Sequence, residues 1–414
     1  MRLAYLLALV LPLSASTGPT FYKDVLPILQ KNCQSCHRPG EAGPMSFLTY
    51  KDTRPWAKAI REAVLLRKMP PWPADPAYGS FQNDCRLSQT EMAMLGAWAD
   101  NGAAEGNAAA APSPVDFVEG WNIGKPDVVL EMPVDYQVPA AGTIEYQHFV
   151  VPTGFQQDRW IRVVELRPGD RSVVHHAAVF VRPPESKWMR EAKVGQPFGS
   201  QDSENQGLGD EMLDFHVPGG VPHALAPGQA KLIKAGSDLI FQIHYTTKGT
   251  PAKDRSRLGI IFAKEPPSER VYTLPVLNHD FVIPAGAPDY RVQAQFTLQD
   301  DTKLVSLNPH MHLRGKAFEF RAVYPTGESQ VLLRVPHYSF AWQLQYYLKP
   351  QLPLPKGTRV ELTAWFDNSP NNPANPDSTR EVRWGDQSWE EMMVGTLDLT
   401  VPAGGDPMDL MRPK

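Results

Sequence analysis

The chain predicts a multidomain protein: a small all-α domain followed by two all-β sandwich domains. Three observations predict this class. The 414 residues exceed what one ordinary domain holds. Helical periodicity with start and stop signals is confined to roughly the first quarter of the chain. Beyond it the sequence breaks into short alternating runs separated by Pro and Gly, and its 41 prolines are about twice the average share of about 5%.

Residues 1–16 predict an export signal. Arg2 is the charged start, Leu3 to Leu13 the apolar core and Ser14-Ala15-Ser16 a small-residue cleavage site. That run is too short to span a bilayer, and no later run reaches ~18 apolar residues. No transmembrane segment is therefore expected, and the mature protein is expected to be periplasmic or secreted. A net charge of -4 and a pI near 6.3 give no basic surface for nucleic acid or an anionic membrane. The only cysteines are Cys33, Cys36 and Cys85, so the fold does not rest on disulfides.

Residues 18–107 form the predicted helical domain. Phe21 to Asn32 reads as a short amphipathic helix and Pro55 to Leu66 as a second. A third opens with the capping box Ser88-x-x-Glu91 and stops at Asn101-Gly102. The first helix runs into Cys33-Gln34-Ser35-Cys36-His37, the spacing of c-type haem attachment. Two thiols add to the haem vinyl groups, and the histidine that follows is placed to ligate the iron. A redox dithiol would want a βαβ setting and a zinc site a second Cys pair, and the sequence offers neither.

The expected sixth iron ligand is the thioether of Met69, ahead of the stiff Pro70-Pro71 pair, with Met45 the alternative. Met92 and Met94 read as packing residues of the last helix. Trp56, Trp72 and Trp98 read as haem-pocket or core packing. Cys85, the odd one of the three, reads as a buried thiol, with a surface thiol or an intermolecular bridge as the alternatives. Three helices around a covalent haem resemble a class I cytochrome c domain.

Residues 108–126 are predicted as a linker, continuing an Ala-rich stretch that runs from Gly102 to Pro114. Two β sets follow, 127–270 and 271–403, with Glu265-Pro266-Pro267-Ser268 as the seam. The first has predicted strands at Asp127–Glu131, Trp160–Val164, Val173–Val181, Leu239–Thr246 and Arg257–Phe262. The second has them at Tyr290–Phe296, Leu304–Leu313, Phe318–Tyr324, Arg359–Phe366 and Met392–Leu399.

Five of the 11 histidines lie inside such apolar runs: His175, His176, His244, His310 and His312. Burying imidazoles there costs free energy unless they are hydrogen-bonded or bind a metal. His310 and His312, two apart on a strand, face the same side. His175 and His176 face opposite sides and can serve one metal only if a bulge or strand end re-aims one of them. His148, His216, His223, His279 and His337 read as ordinary structural histidines, with His216 and His223, which flank a Pro/Gly loop, the alternatives for holding metal ligands from behind.

Taken in order, His175-His176, His244, His310-Met311-His312 and Glu390-Glu391-Met392 resemble the copper type II, ascorbate-dependent monooxygenases, the peptidylglycine and dopamine hydroxylase family. The resemblance covers roughly Asp127 to Val401. It implies two jelly-roll-like β-sandwiches holding two copper ions. His175, His176 and His244 would hold an electron-relay copper. His310, His312 and Met392, with Met393 the alternative to Met392, would hold the oxygen-activating, catalytic one. A thioether favours Cu(I), the state that binds oxygen. In the peptide-amidating members an Arg two residues before the His-x-His pair and a Tyr four residues past the Met ligand contact the substrate carboxylate. Here those positions are Asn308 and Thr396, so peptidylglycine is not the implied substrate.

The expected function is hydroxylation of an organic small molecule with O2, with electrons entering through the haem. A different class fits the same residues: an exported cytochrome electron carrier whose β region binds copper or docks a partner without catalysis. Two coppers per chain with reductant-dependent oxygen uptake separate the first reading from the second.

Overall fold

A computed structural model describes residues 18–117, 120–199 and 211–412. The expected export signal at 1–16 lies outside the described residues. The protein is mostly β, with 36% of residues in strands against 12% in helices. Among the described residues no helix is long and apolar enough to cross a membrane.

The chain divides into two compact units. One holds the described residues up to Pro70 together with Cys85–Phe117, and the other holds Pro71–Asp84 and the described residues from Gly120 on.

The first unit is helical. A π-helical turn over Phe21–Val25 leads into α1 (Leu26–Asn32), followed by α2 (Tyr50–Thr53), α3 (Ala57–Leu65) and α4 (Gln89–Asp100). At the start of α4 the Glu91 amide donates to Ser88 Oγ at 3.2 Å, and the Ser88 amide donates back to the Glu91 carboxylate at 2.8 Å. These two bonds satisfy amides that the first helical turn leaves without partners. Asn101 caps the other end, and Gly102 follows at φ +85°, a left-handed position that glycine adopts without strain. Phe21, Leu29, Leu95 and Trp98 are wholly buried together.

The span 71–84, expected inside the helical domain, packs in the β unit instead. The Trp72 ring stands 4.9 Å from Tyr346 and 6.0 Å from Phe81. The amides of Asp75 and Gln82 donate to the carbonyls of Arg334 and Tyr347 at 2.8 and 2.7 Å. Trp72 is therefore not part of the helical core. An aromatic cluster and backbone pairing with residues more than 250 positions away drew the segment over, and no local pattern reports such partners.

In the β unit the strands are β1 (Val128–Glu131), β2 (Tyr136–Val138), β3 (Gln147–Pro152), β4 (Arg159–Arg167), β5 (Val174–Arg182), β6 (Phe198–Gly199), β7 (Glu211–His216), β8 (Gln229–Ile233), β9 (Asp238–Tyr245), β10 (Ala252–Asp254) and β11 (Arg257–Phe262). They continue with β12 (Glu269–Leu277), β13 (Val282–Ile283), β14 (Tyr290–Thr297), β15 (Thr302–His310), β16 (Gly315–Val323), β17 (Ser329–Val335), β18 (Tyr346–Leu354), β19 (Arg359–Phe366), β20 (Val382–Arg383) and β21 (Val394–Pro402).

A five-stranded sheet, β6-β3-β9-β5-β7, faces the β1-β11-β4-β8 half of an eight-stranded sheet. Phe149, Val179 and Phe241 from one layer share a buried cluster with Leu130, Ile161 and Ile260 from the other. The remaining half, β12-β21-β15-β18, faces the sheet β14-β19-β16-β17. The close approach shows at Gly395 in β21, where an added Cβ would stand 2.3 Å from Leu362 and 2.7 Å from Phe320.

The two sandwiches are not separate bodies. β8 and β12 pair in parallel, Gln229 beside Glu269 and Ala230 beside Arg270, so one sheet runs through both. The expected seam at Glu265–Ser268 does lie between β11 and β12. What it separates is two halves of a continuous sheet.

Candidate metal centre in the β unit

β5 is buried along almost its whole length because both faces are covered. Val179 and Val181 pack into the core between the sheets, while Ala178 and Phe180 pack with Trp188, Met189 and Ile240 on the other side. At its start the pairing with β9 slips: Val174 lies opposite Tyr245, but His176 lies opposite His244. This irregularity re-aims one of two adjacent side chains, as a shared metal site requires of a His-His pair. The Nδ1 atoms of His175 and His176 stand 2.9 Å apart. One ligand nitrogen from each of His175, His176 and His244 lies within 4.8 Å of the others.

These distances suit a metal. At about 2.0–2.1 Å from each imidazole nitrogen, two ligands at a right angle stand about 2.9 Å apart. The outer nitrogens already have partners. Tyr146 Oη is 2.9 Å from His176 Nε2, and Ser388 Oγ is 3.4 Å from His244 Nε2. The inner Nδ1 of His244 is buried and has no hydrogen bond. An orphaned nitrogen beside two converging ones is a donor set that could hold a metal, with outer nitrogens held from behind.

His310 and His312 come from the other sandwich. The sequence places both on one strand, but β15 ends at His310 and His312 lies in the turn beyond it. They still converge, with ring centroids 5.1 Å apart. Glu391 fixes this turn: its two carboxylate oxygens accept from the amides of His312 at 2.9 Å and Arg314 at 2.6 Å.

Carbonyl oxygens set the tautomers of both rings. His310 Nδ1 meets Gln343 Oε1 at 2.6 Å, and His312 Nδ1 meets the Glu390 carbonyl at 3.3 Å. Each Nδ1 must carry the proton, which leaves the Nε2 lone pairs available. The Nε2 of His312 is buried without a partner. Met392 lines the same cavity as His176, His310 and His312. Met393 is wholly buried.

Burial holds all five imidazoles neutral, and neutral imidazole is the form that binds metal. It lowers His244 to about 3 and His310 to about 4, and depresses His175, His176 and His312 as well. The Tyr146 phenol is pushed up by burial, then by the nearby Asp386 carboxylate, and stays protonated.

The cavity is partly open to solvent. Its lining includes Phe180, Met212, Phe215 and Val394, with Asp386, Asn308 and Thr396 among the polar groups. Asn308 and Thr396 pair across β15 and β21, and Asn308 donates to the carbonyls of Gln343 and Leu344 at 3.0 Å each. Asn308 thus braces the segment that carries the partner of His310.

Tyr146, Phe340, Gln343, Ser388 and Asp386 were missed in the sequence. None sits in a motif, and only the convergence of distant strands makes them neighbours of the histidines. The histidines read as structural include His148, which is buried with Nδ1 3.2 Å from the Phe198 carbonyl and Nε2 2.9 Å from Gln242 Nε2. His223 stacks on Tyr347 at 4.0 Å.

In the helical unit Cys33 caps α1, and the amides of Cys36 and His37 donate back to its carbonyl at 3.1 and 2.8 Å. Neither cysteine is in a disulfide. His37 Nδ1 lies 3.2 Å from the Met45 carbonyl, which again leaves Nε2 as the lone-pair nitrogen. The ring stacks on Phe47 at 4.4 Å. Gly43 makes room for it, since a Cβ there would stand 2.6 Å from His37 Nδ1. Met69 is half-buried past the end of α3, and Met45 packs against the helical core. A turn with two thiols and an oriented imidazole fits covalent haem.

No family model matches the chain, and no curated protein matches it. Solved structures share a distant likeness. PNGF-II aligns at 11% identity with a TM-score of 0.28, over 66% of this chain and 65% of that one, so the match spans less than two thirds of PNGF-II. The VP2 subviral particle of infectious bursal disease virus aligns at 9% identity with a TM-score of 0.20, over 69% of this chain and 74% of that one. Likeness this slight carries no argument about fold or function.

Proposed function

We propose that the protein is an exported, copper-dependent, monooxygenase-like oxidoreductase resembling the peptidylglycine and dopamine hydroxylase family, joined to a class I cytochrome c-like domain. The overall reaction is R–H + O2 + 2e⁻ + 2H⁺ to R–OH + H2O. One observation supports it: His176, His310, His312 and Met392 line one cavity, His175 and His244 converge with His176 as a group able to hold a metal, and His244 Nδ1 and His312 Nε2 are buried without hydrogen-bond partners.

His175, His176 and His244 would hold one copper through Nδ1. His310 and His312 through Nε2, with Met392, would hold the other. Copper bound there would supply one-electron redox chemistry and, as Cu(I) beside the thioether, affinity for O2. Haem attached at Cys33 and Cys36, with His37 on its iron and Met69 or Met45 opposite, would supply electrons one at a time.

The chain's own groups do the rest. Tyr146, Ser388, Gln343 and the Glu390 carbonyl hold the imidazoles in orientation. The apolar walls at Phe180, Phe215 and Val394 exclude water from the reacting carbon. No Lys or Arg is among the described lining residues, which suits an uncharged organic substrate and disfavours a carboxylate.

The test is metal analysis, optical spectra and oxygen uptake on the purified exported protein. Two coppers and one covalent haem per chain are expected, with reduced haem reoxidised faster when copper and oxygen are both present. Haem reoxidation that is indifferent to copper, or a chain that binds none, overturns the proposal.

A further inference from the structure

Resting on that reading, we infer that the cavity takes an uncharged molecule with an apolar body and a hydrogen-bond-donating head, a hydroxyl or an amide N–H. The polar groups on its wall have most of their donors engaged and most of their acceptors open.

The donors have partners inside the protein. Asn308 Nδ2 donates to the carbonyls of Gln343 and Leu344 at 3.0 Å each, which uses both of its hydrogens. Thr273 Oγ1 donates to Asp398 Oδ1 at 2.5 Å and accepts from Lys231 at 2.8 Å. His148 Nδ1 faces the Phe198 carbonyl and carries the proton, so Gln242 Nε2 donates to His148 Nε2 at 2.9 Å. Tyr146 Oη is held by His176 Nε2 at 2.9 Å and by Ser388.

The acceptors do not. With their nitrogens fixed, Asn308 and Gln242 keep their amide oxygens, and no hydrogen bond reaches either oxygen among the described residues. The same holds for the Asp386 carboxylate, which has no ion pair either, and for the Thr396 hydroxyl. Asn308 and Thr396 lie opposite each other in β15 and β21, so these two share one face of the sheet. Phe180, Phe215 and Val394 supply apolar wall.

An acceptor shielded from water is costly to leave unmatched. A ligand that donates a hydrogen bond therefore gains what a non-donor of the same shape loses. A carboxylate would meet Asp386 as a like charge, with no Lys or Arg among the described lining residues to offset it.

The experiment uses the metal-free full-length protein and ligand-observed NMR with matched probes: benzyl alcohol against benzyl methyl ether, benzamide against N,N-dimethylbenzamide, and benzoate. Each methylation removes the donor and keeps the ring and the oxygen. Benzyl alcohol and benzamide should bind at least about tenfold more tightly than their methylated counterparts, and benzoate should not bind. Asp386→Asn adds a donor to the wall, so it should let the ether bind and narrow the advantage of the alcohol. That gain of binding requires a folded protein. Thr396→Val should weaken the alcohol and leave the ether unchanged. Phe180→Trp narrows the cavity and should weaken every probe, which places them there, with circular dichroism as the control for folding.

Alcohol and ether binding alike, or benzoate binding as tightly as the alcohol, would overturn the donor head and leave the copper reading standing. Selective uptake of the alcohol by a chain that binds no copper would keep the donor head and overturn the hydroxylation.

Discussion

Gln343 Oε1 lies 2.6 Å from His310 Nδ1, an amide carbonyl from a loop fixing the tautomer of a histidine at a strand end 33 residues away. Tyr146 stands in the same relation to His176, at 2.9 Å. Groups that hold the outer nitrogen of a ligand typically matter 10–100-fold to metal affinity. Gln343→Leu should weaken the second ion by about that factor, and Tyr146→Phe the first, with little change in secondary structure. Competition with a chelator of known affinity measures both. Unchanged affinity in both variants would remove these residues from the site.

Met392 and Met393 are adjacent and both buried, but it is Met392 that lines the cavity with His310 and His312. Leucine conserves volume at either position, so each variant should cost less than about 1.5 kcal/mol in stability. Met392→Leu should weaken Cu(I) at the second set at least about tenfold, since it removes the soft ligand, and Met393→Leu should not. The reverse pattern would transfer the ligand role to Met393.

Gly43 backs the His37 ring, with room for no side-chain atom. Gly43→Ala should displace His37 and lower the fraction of protein carrying low-spin covalent haem, while the core around Leu29, Leu95 and Trp98 survives. Optical spectra of the reduced protein, with circular dichroism as the control, measure this. A normal haem spectrum in the variant would mean that the imidazole is not held as the structure has it.

Lys231 joins the two sandwiches by charge. Its Nζ donates to Thr273 Oγ1 at 2.8 Å and lies 3.5 Å from Asp398 Oδ1, deep in the shared sheet. Asp398 also accepts from Thr273 at 2.5 Å, Ser306 at 2.6 Å and Gln345 at 2.8 Å. Lys231→Met leaves a buried carboxylate without its cation and should cost on the order of 3–5 kcal/mol. Adding Asp398→Asn should recover part of that loss. Denaturant melts of the single and double variants provide the comparison, and additive losses would mean that the pair does not interact.

Metal-free stability should fall in acid. Burial lowers His148 and His310 to about 4 and His244 to about 3, against about 6.5 in an unfolded chain. Between those values the unfolded chain binds protons that the folded one refuses, so stability is full above about pH 6.5 and declines as pH drops toward 4. Each such histidine contributes up to about 1.4 kcal/mol per pH unit in that window. Bound metal should strengthen the dependence, because protons compete for the same nitrogens. A midpoint that stays level from pH 7 to pH 5 would contradict these buried, neutral rings.

The sequence by itself carried what local chemistry can carry. Short apolar or alternating runs bounded by turn residues located ten of the strands, since each such signal lies within its own segment. The Ser88–Glu91 capping box and the Asn101-Gly102 stop marked α4, because both signals lie within a turn of the helix end. The five histidines stood out because imidazoles in apolar runs demand an explanation.

The tertiary structure decided what depends on partners far along the chain. β8 beside β12 merged two sandwiches into one sheet. Trp72 left the helical core for Tyr346, and Tyr146, Gln343 and Phe340 became neighbours of histidines they never approach in sequence. Hydrogen bonds and ring contacts of that kind have no period and no spacing, so only the folded chain contains them.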